Sequence, residues 1–181
     1  MANLREIYQL GSDVIRSVAA KVEDVHDVEI QTLIDDMIFT CKASKGVGIA
    51  APQVNCAQAI VIIASEPSER YPNAPTMEPT ALINPKILSH SHKIIKDWEG
   101  CLSLPGIRAQ VPRYSEVEVL YTDRDGEEHT VIYSDFVARV FQHEFDHLMG
   151  KVFIDRVEST YDVVMEKEYQ RIIGKTKGEK V

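Results

Sequence analysis

The chain has 181 residues, 44% apolar and 27% charged, with 20 Lys+Arg against 28 Asp+Glu for a formal charge of −8. That length suits one domain, or at most two small ones, with a real core, and the negative balance argues against general binding to nucleic acid or anionic lipid. Three cysteines are an odd count and too few for a disulfide framework, which points to a reducing compartment; the longest apolar run, residues 59–64, is too short to cross a bilayer, and the first six residues hold no apolar signal core, so secretion is not expected.

The first periodic segment is residues 28–44, where Ile30, Leu33, Ile34, Met37, Ile38 and Cys41 mark one face of an amphipathic helix. Asp27 is its expected N-cap, and Gly46 lies just past its end. Residues 46–53 follow, too rich in Gly and Ala for an ordinary surface loop. Residues 59–64 are short and β-branched and predict a buried strand. Residues 65–80 carry Pro67, Pro72, Pro75 and Pro79 and read as an irregular loop, long for a compact domain. Strands are expected at 81–83 and 92–98, with a turn before Pro105. Residues 116–122 and 127–134 flank Asp125-Gly126 and predict a β-hairpin. A second helix spans about 135–149, with Val137, Val140, Phe141, Phe145 and Leu148 as its apolar stripe and Gly150 ending it. From Lys167 onward the chain is charged, with weak helical periodicity and expected fraying. The order predicts an α+β fold with antiparallel or mixed sheets packed on helices.

The sharpest chemical signal is His143-Glu144-Phe145-Asp146-His147. Residues four apart share a helix face, so both imidazoles can reach one metal, and Glu144, about 100° round the helix, can reach its water. A metal lowers the pKa of such a water toward about 7, and Glu144 can then act as general base and later as general acid. Two histidines do not complete a hydrolytic site, which uses three protein ligands and one open position. His26, His90, His92, His129, the cysteines and many carboxylates are candidates for the third. Cys101 stands out, following Gly100 at the end of a predicted strand, although a buried free cysteine is more often a small hydrophobe. In residues 46–53 the small side chains leave room for a ligand or another backbone, and Gln53 offers an amide donor to a developing oxyanion; the same residues also suit a plain tight turn. The Lys-Ser/Thr ending of a phosphate-binding loop is absent there.

Together, in this order and spacing, Gly46 to Gln53, Glu99 to Ser103 and His143 to His147 resemble the peptide deformylase family. Its motifs are Gly-x-Gly-Leu-Ala-Ala-x-Gln, Glu-Gly-Cys-Leu-Ser and His-Glu-x-x-His. The one departure in the motif cores is Ile49 for Leu, conservative in volume. The likeness extends over roughly residues 5–157. It implies antiparallel or mixed sheets packed around a central helix that carries His-Glu-x-x-His, in a metallohydrolase domain of residues 1–166 with a charged tail at 167–181.

The resemblance also implies roles. Cys101, His143 and His147 would bind one divalent metal ion: ferrous iron (Fe2+) physiologically, with zinc (Zn2+) or nickel (Ni2+) able to replace it. Glu144 would be general base and acid, and the Gln53 side chain with the Leu102 backbone N–H would stabilise the oxyanion. The substrate would be an N-formylmethionyl peptide, a nascent chain at the ribosome, cleaved to formate and a free amine. Backbone groups near Val47 and Gly48 would hold the peptide as an added strand, and Arg108 would contact its backbone. Val47, Phe136 and Val140 would line the methionine pocket, and Glu99 with Arg113 would support the site from behind. The part played by Arg139 and by the 65–80 loop stays open. No direct nucleic-acid or membrane partner is expected, and the setting would be a bacterial cytoplasm, or an organelle for a mature chain.

Two other functions share some of these residues. A zinc peptidase uses the same His-Glu-x-x-His but takes a downstream His or Glu as third ligand; no His follows His147, leaving Glu158 and Glu166. A non-catalytic metal-binding module would close the site with a fourth ligand, Cys41 or Cys56.

Overall fold

The computed structural model describes residues 2–67, 71, 72 and 74–178, with residues 175–178 as backbone only. Parts of two segments read from the sequence, residues 68–70 and 73 of the 65–80 loop and residues 179–181 of the tail, lie outside the described residues.

Helix α1 (Val28–Ala43) starts where expected, the Asp27 carboxylate accepting a hydrogen bond from Glu29 N–H. Strands β1 (Gly48–Ala50), β2 (Ile60–Ile63), β3 (Thr80–His90), β6 (Glu116–Thr122) and β7 (Glu128–Ser134) form one sheet in the order β1-β2-β3-β6-β7. Strands β4 (Ile94–Cys101), β5 (Leu104–Tyr114) and β8 (Val163–Met165) form a second, in the order β4-β5-β8. Neighbouring strands in both sheets run antiparallel. Helix α2 (Asp135–Leu148) contacts both sheets, and helix α3 (Glu166–Gly178) follows β8. The arrangement is α+β, with the His-Glu-x-x-His segment on a central helix, as the sequence implied.

The unbroken apolar run of β2 has a direct cause, since the strand is buried on both faces. Ile60 and Ile62 join the cluster under α1 with Ile34, Met37 and Cys41. Val61 and Ile63 point the other way and join Leu82, Ala138 and Phe141 under α2. Each such side chain contributes about 1.5–3 kcal/mol when fully buried. A third cluster, with Ile15, Leu104, Val111 and Phe153, packs beneath β5.

Strands β3, β4 and β5 differ from expectation. β3 continues past residue 83, through a register shift at Asn84-Pro85. Asn84 takes a left-handed φ of 51°, so the break that made the strand look short is a bulge inside it. Its amide ties the bulge to Val22 through bonds of 2.8 and 2.9 Å. β4 runs from Ile94 to Cys101 rather than from 92 to 98. β5 was not foreseen at all, because Pro105, Gly106 and Pro112 argue against a strand. It tolerates them because β8 covers only Ile107–Ala109, so neither proline has strands on both sides. The expected turn before Pro105 is Leu102-Ser103, which joins Cys101 directly to its partner Leu104.

Helix α2 ends in a complete C-terminal cap. Gly150 N–H donates to His147 O and Lys151 N–H to Asp146 O, with Gly150 at φ 66°. The metal-binding pattern therefore sits on the last two turns of a helix with a firm stop. The segment that began as a charged tail is helical from Glu166, and Tyr169 packs edge-on against Trp98 with ring centroids 5.2 Å apart.

Candidate metal centre

One turn of α2 separates His143 from His147, and their ring centroids are 5.3 Å apart. The β4–β5 turn delivers Cys101 to the same point, its Sγ 3.2 Å from His147 Nε2. One ligand atom from each of Cys101, His143 and His147 lies within 4.8 Å of the others. Sulfur at 2.3 Å and nitrogen at 2.1 Å from a tetrahedral ion are separated by about 3.6 Å, so this donor set fits one zinc or ferrous ion. Burial raises the Cys101 pKa, but the imidazoles of His147 and His143 outweigh it and hold the thiol well below its ordinary range. A thiolate and two imidazoles are the donors such an ion requires.

The orientation of His143 is fixed from behind. Its Nδ1 lies 2.8 Å from Glu99 Oε2, which directs Nε2 toward Cys101 and His147. Glu99 is 5% exposed and also accepts from Arg113, at 2.8 and 3.0 Å, and from Arg139, at 2.8 Å. Arg113 passes on to Asp146 at 2.6 Å, and Asp146 accepts from Arg156 as well. Burial raises the Glu99 pKa, but Arg113 and His143 hold its carboxyl far below the usual range. Arg139, left open by the sequence, borders the cleft but turns its guanidinium into the second sheet, donating to Val111 O at 2.8 Å and Ile95 O at 2.6 Å. Sharing Glu99 with Arg113 and His143, it ties α2 to β4 and β5.

Glu144 lies on the cleft side of α2, 5% exposed, with Oε2 buried and without a protein hydrogen-bond partner. Burial pushes its pKa up to about 7, the neighbouring histidines opposing the shift. Space for it comes from Gly48, where a Cβ would fall 2.7 Å from Glu144 Oε1. Gln53 is 2% exposed and locked in place: its Oε1 accepts from Ala50 N–H at 2.8 Å. Its Nε2 donates to Ser103 Oγ at 3.2 Å and lies 3.5 Å from Cys101 Sγ, so the amide donor faces the ligand cluster.

The cleft over this cluster is lined by Val47, Gly48, Gln53, Glu99, Cys101, Leu102, Phe136, Val140, His143 and Glu144, among others. Arg108 is not in that lining. It is 4% exposed and packs where a Gly100 Cβ would stand, its Nε 2.6 Å from Glu166 Oε2. The sequence reading missed two aromatic lining residues. Tyr71 comes from the 65–80 segment, its ring 5.3 Å from Phe136, and Trp98 stands directly before Glu99. Strand alternation around the Glu-Gly-Cys motif was the available signal for Trp98; nothing local marked Tyr71.

The third ligands a peptidase would need are engaged elsewhere. Glu158 pairs with Lys96 at 3.0 Å and Glu166 with Arg108. Among the described residues no fourth His, Cys, Asp or Glu joins the cluster. Cys41 sits in the core under α1, where burial pushes its thiol up to about 12, and Cys56 packs at the edge of that core. His90 stacks on Tyr114, and His129 pairs with Asp123 at 2.6 Å.

Comparison with known proteins agrees with this geometry. A family model described as polypeptide deformylase matches residues 4–162. The chain is 56% identical over 172 residues to peptide deformylase 2 of Nostoc sp., covering 95% of this chain and 96% of that one. It is 39% identical over 173 residues to peptide deformylase of Brachyspira hyodysenteriae, covering 96% and 91%. Among solved structures it resembles a Met-Ala-Ser-bound class I type b peptide deformylase from Acinetobacter baumannii, with a TM-score of 0.84 and 38% identity over 87% of this chain and 100% of that one. It also resembles an actinonin complex of a peptide deformylase from Synechococcus elongatus, with a TM-score of 0.77 and 34% identity over 90% and 85%.

Proposed function

The chain belongs to the peptide deformylase family, metal-dependent hydrolases that remove the formyl group from newly made peptides, and from that premise we propose how its own residues divide the work. Cys101, His143 and His147 hold the metal, with ferrous iron as the physiological ion and zinc or nickel able to take its place. When bound, the metal supplies an acidified water and polarises the formyl oxygen. Glu144 takes the proton of that water and returns it to the departing amine nitrogen, yielding formate and a free α-amine. Gln53 Nε2 and the Leu102 N–H face the formyl oxygen as charge develops on it; Gln53 sits in a short 3-10 turn at 51–54 with its amide already held by Ala50 N–H and Ser103, and Leu102 in the tight turn between β4 and β5, so neither donor has to be assembled when substrate arrives. The observation that carries this division is the three-donor cluster with Glu144 on its cleft side and the Gln53 amide 3.5 Å from Cys101 Sγ.

Val47, Phe136 and Val140 form the apolar wall for the methionine side chain. The backbone of Val47 and Gly48 holds the peptide as a strand added beside β1, the sheet edge at that end. Arg108, packed where a Gly100 side chain would stand at the border of the cleft, binds the peptide backbone beyond the first residue. Glu99 and Arg113 hold His143 in its ligand orientation. Residues 1–166 carry this machinery, and 167–181 form a charged tail whose first turn packs back on Trp98. The substrates are nascent formylmethionyl chains at the ribosome, met without direct nucleic-acid binding, which the charge of −8 disfavours. A thiolate ligand suits a reducing setting, the bacterial cytoplasm or an organelle.

The test is Glu144→Gln in anaerobically purified protein. It should keep one metal per chain and lose turnover by about 10³-fold, the scale of a positioned general base. Turnover near the unaltered rate would overturn the role given to Glu144.

A further inference from the structure

Two of the groups that hold Arg108 come from a part of the chain that the family match does not include. Its partners Glu166 and Tyr169 both lie in α3, beyond residue 162 where that match ends. Glu166 Oε2 accepts from Arg108 Nε at 2.6 Å, while Gln170 donates to the other carboxylate oxygen at 2.8 Å. The Tyr169 ring lies 5.1 Å from the guanidinium carbon and packs edge-on against Trp98 in the cleft wall. Tyr71, also in that wall, lies near enough to the same guanidinium to favour its charged form. The Nη1 end reaches Gly100, where a Cβ would stand 2.3 Å away, so the missing side chain at position 100 lets the guanidinium lie against the strand that borders the cleft.

We propose that the first turn of α3 is a positioning element for substrate binding: Glu166 takes the Nε edge of Arg108 and Tyr169 supports its plane, so that the Nη edge is preset for carbonyl groups of the peptide beyond formylmethionine. This rests on the reading of Arg108 as a peptide contact. An arginine fixed in advance loses less rotamer freedom when substrate binds, so the benefit appears in KM rather than in the chemical step. It applies only to substrates long enough to reach Arg108.

The experiment compares steady-state kinetics on formyl-Met-Ala-Ser and on formylmethionine amide for the full chain and for Glu166→Gln, Tyr169→Leu, Tyr169→Phe and Arg108→Met. Glu166→Gln preserves shape and a neutral acceptor, so it does not put folding at risk. Glu166→Gln and Tyr169→Leu should raise KM for the tripeptide about fivefold, the scale of one reoriented hydrogen bond, with kcat unchanged and the amide substrate unaffected. Tyr169→Phe, which keeps the ring, should match the unaltered protein. Three results would overturn the proposal: a KM that does not move, one that falls because Glu166 competes with substrate, or equal changes on both substrates. If Arg108→Met itself left the tripeptide KM unchanged, the failure would lie with Arg108 as a peptide contact, and the positioning role would fall with it.

Discussion

Gly48→Ala probes the site at its tightest point. Gly48 lies in β1, paired with Ile63, and its φ is not in the left-handed region, so alanine strains no backbone there. The added methyl would meet Glu144 Oε1 at 2.7 Å, Glu144 Cγ at 2.9 Å and Val140 Cγ1 at 2.9 Å. Ordinary contacts to carbon lie at about 3.5–4.0 Å, so the neighbours must yield by about 0.6–1 Å. Val140 is 6% exposed on a helix packed from both sides, which leaves the Glu144 side chain as the part that moves. Overpacking of this kind costs about 1–3 kcal/mol of stability. A general base displaced by nearly 1 Å loses about a hundredfold in rate. We expect Gly48→Ala to retain its metal, lose about 1–3 kcal/mol in urea unfolding, and show a kcat for formate release down about a hundredfold with a smaller change in KM. Gly46→Ala is the control, because its nearest neighbour is the Cys41 sulfur at 3.3 Å, away from Glu144. A Gly48→Ala protein with unaltered kcat would refute the claim that Glu144 depends on this space.

Other consequences follow from the same geometry. Gly150→Ala should destabilise the protein by about 2–4 kcal/mol in urea unfolding, because it forces a β-carbon into left-handed backbone and against Arg16 O at 2.5 Å; a loss under 0.5 kcal/mol would contradict the cap. Burial raises the Asp155 pKa, but its pairing with Arg16 and the Val152 N–H lowers it overall, so the carboxylate stabilises the fold above its unfolded pKa near 3.9 and that contribution fades as pH falls through the folded value. The stability gap between the unaltered protein and Asp155→Asn should therefore be full at pH 7 and close below about pH 4, and a gap that widened in acid would have the wrong sign. Cys101→Ser should lower metal content per chain or change the visible spectrum of the cobalt-substituted protein, and unchanged metal content with unchanged activity would place the third ligand elsewhere.

What the sequence made legible was local. The Asp27 cap, the stop at Gly150 and the apolar stripe of α2 are each decided by neighbours within a turn or two, and the structure keeps them. The three chemical motifs could be read for the same reason, since each is a contiguous run. The Asp125-Gly126 turn was found too, though its loop is one residue longer because Asp123 caps it with bonds of 2.9 Å to Asp125 N–H and Glu127 N–H. What stayed hidden depends on distant partners. β5 exists because β4 and β8 accept a proline-bearing strand, and half of β3 lies beyond a bulge anchored by Val22. The true setting of Arg108 is made by Tyr71, Glu166 and Tyr169, which are far from it in the chain and carry no motif. Arg139 could not be assigned because its partners, the Glu99 carboxylate and the backbone carbonyls of Ile95 and Val111, lie on strands that periodicity does not orient against α2.

The most direct measurement is formate release by anaerobically purified protein from formyl-Met-Ala-Ser, set against acetyl-Met-Ala-Ser, before and after chelation. If Cys101, His143 and His147 hold the working metal beside Glu144, formate appears rapidly from the formyl peptide alone, stops on chelation, and returns when ferrous iron is restored. Formate release that survives complete removal of the metal would contradict the account at its centre.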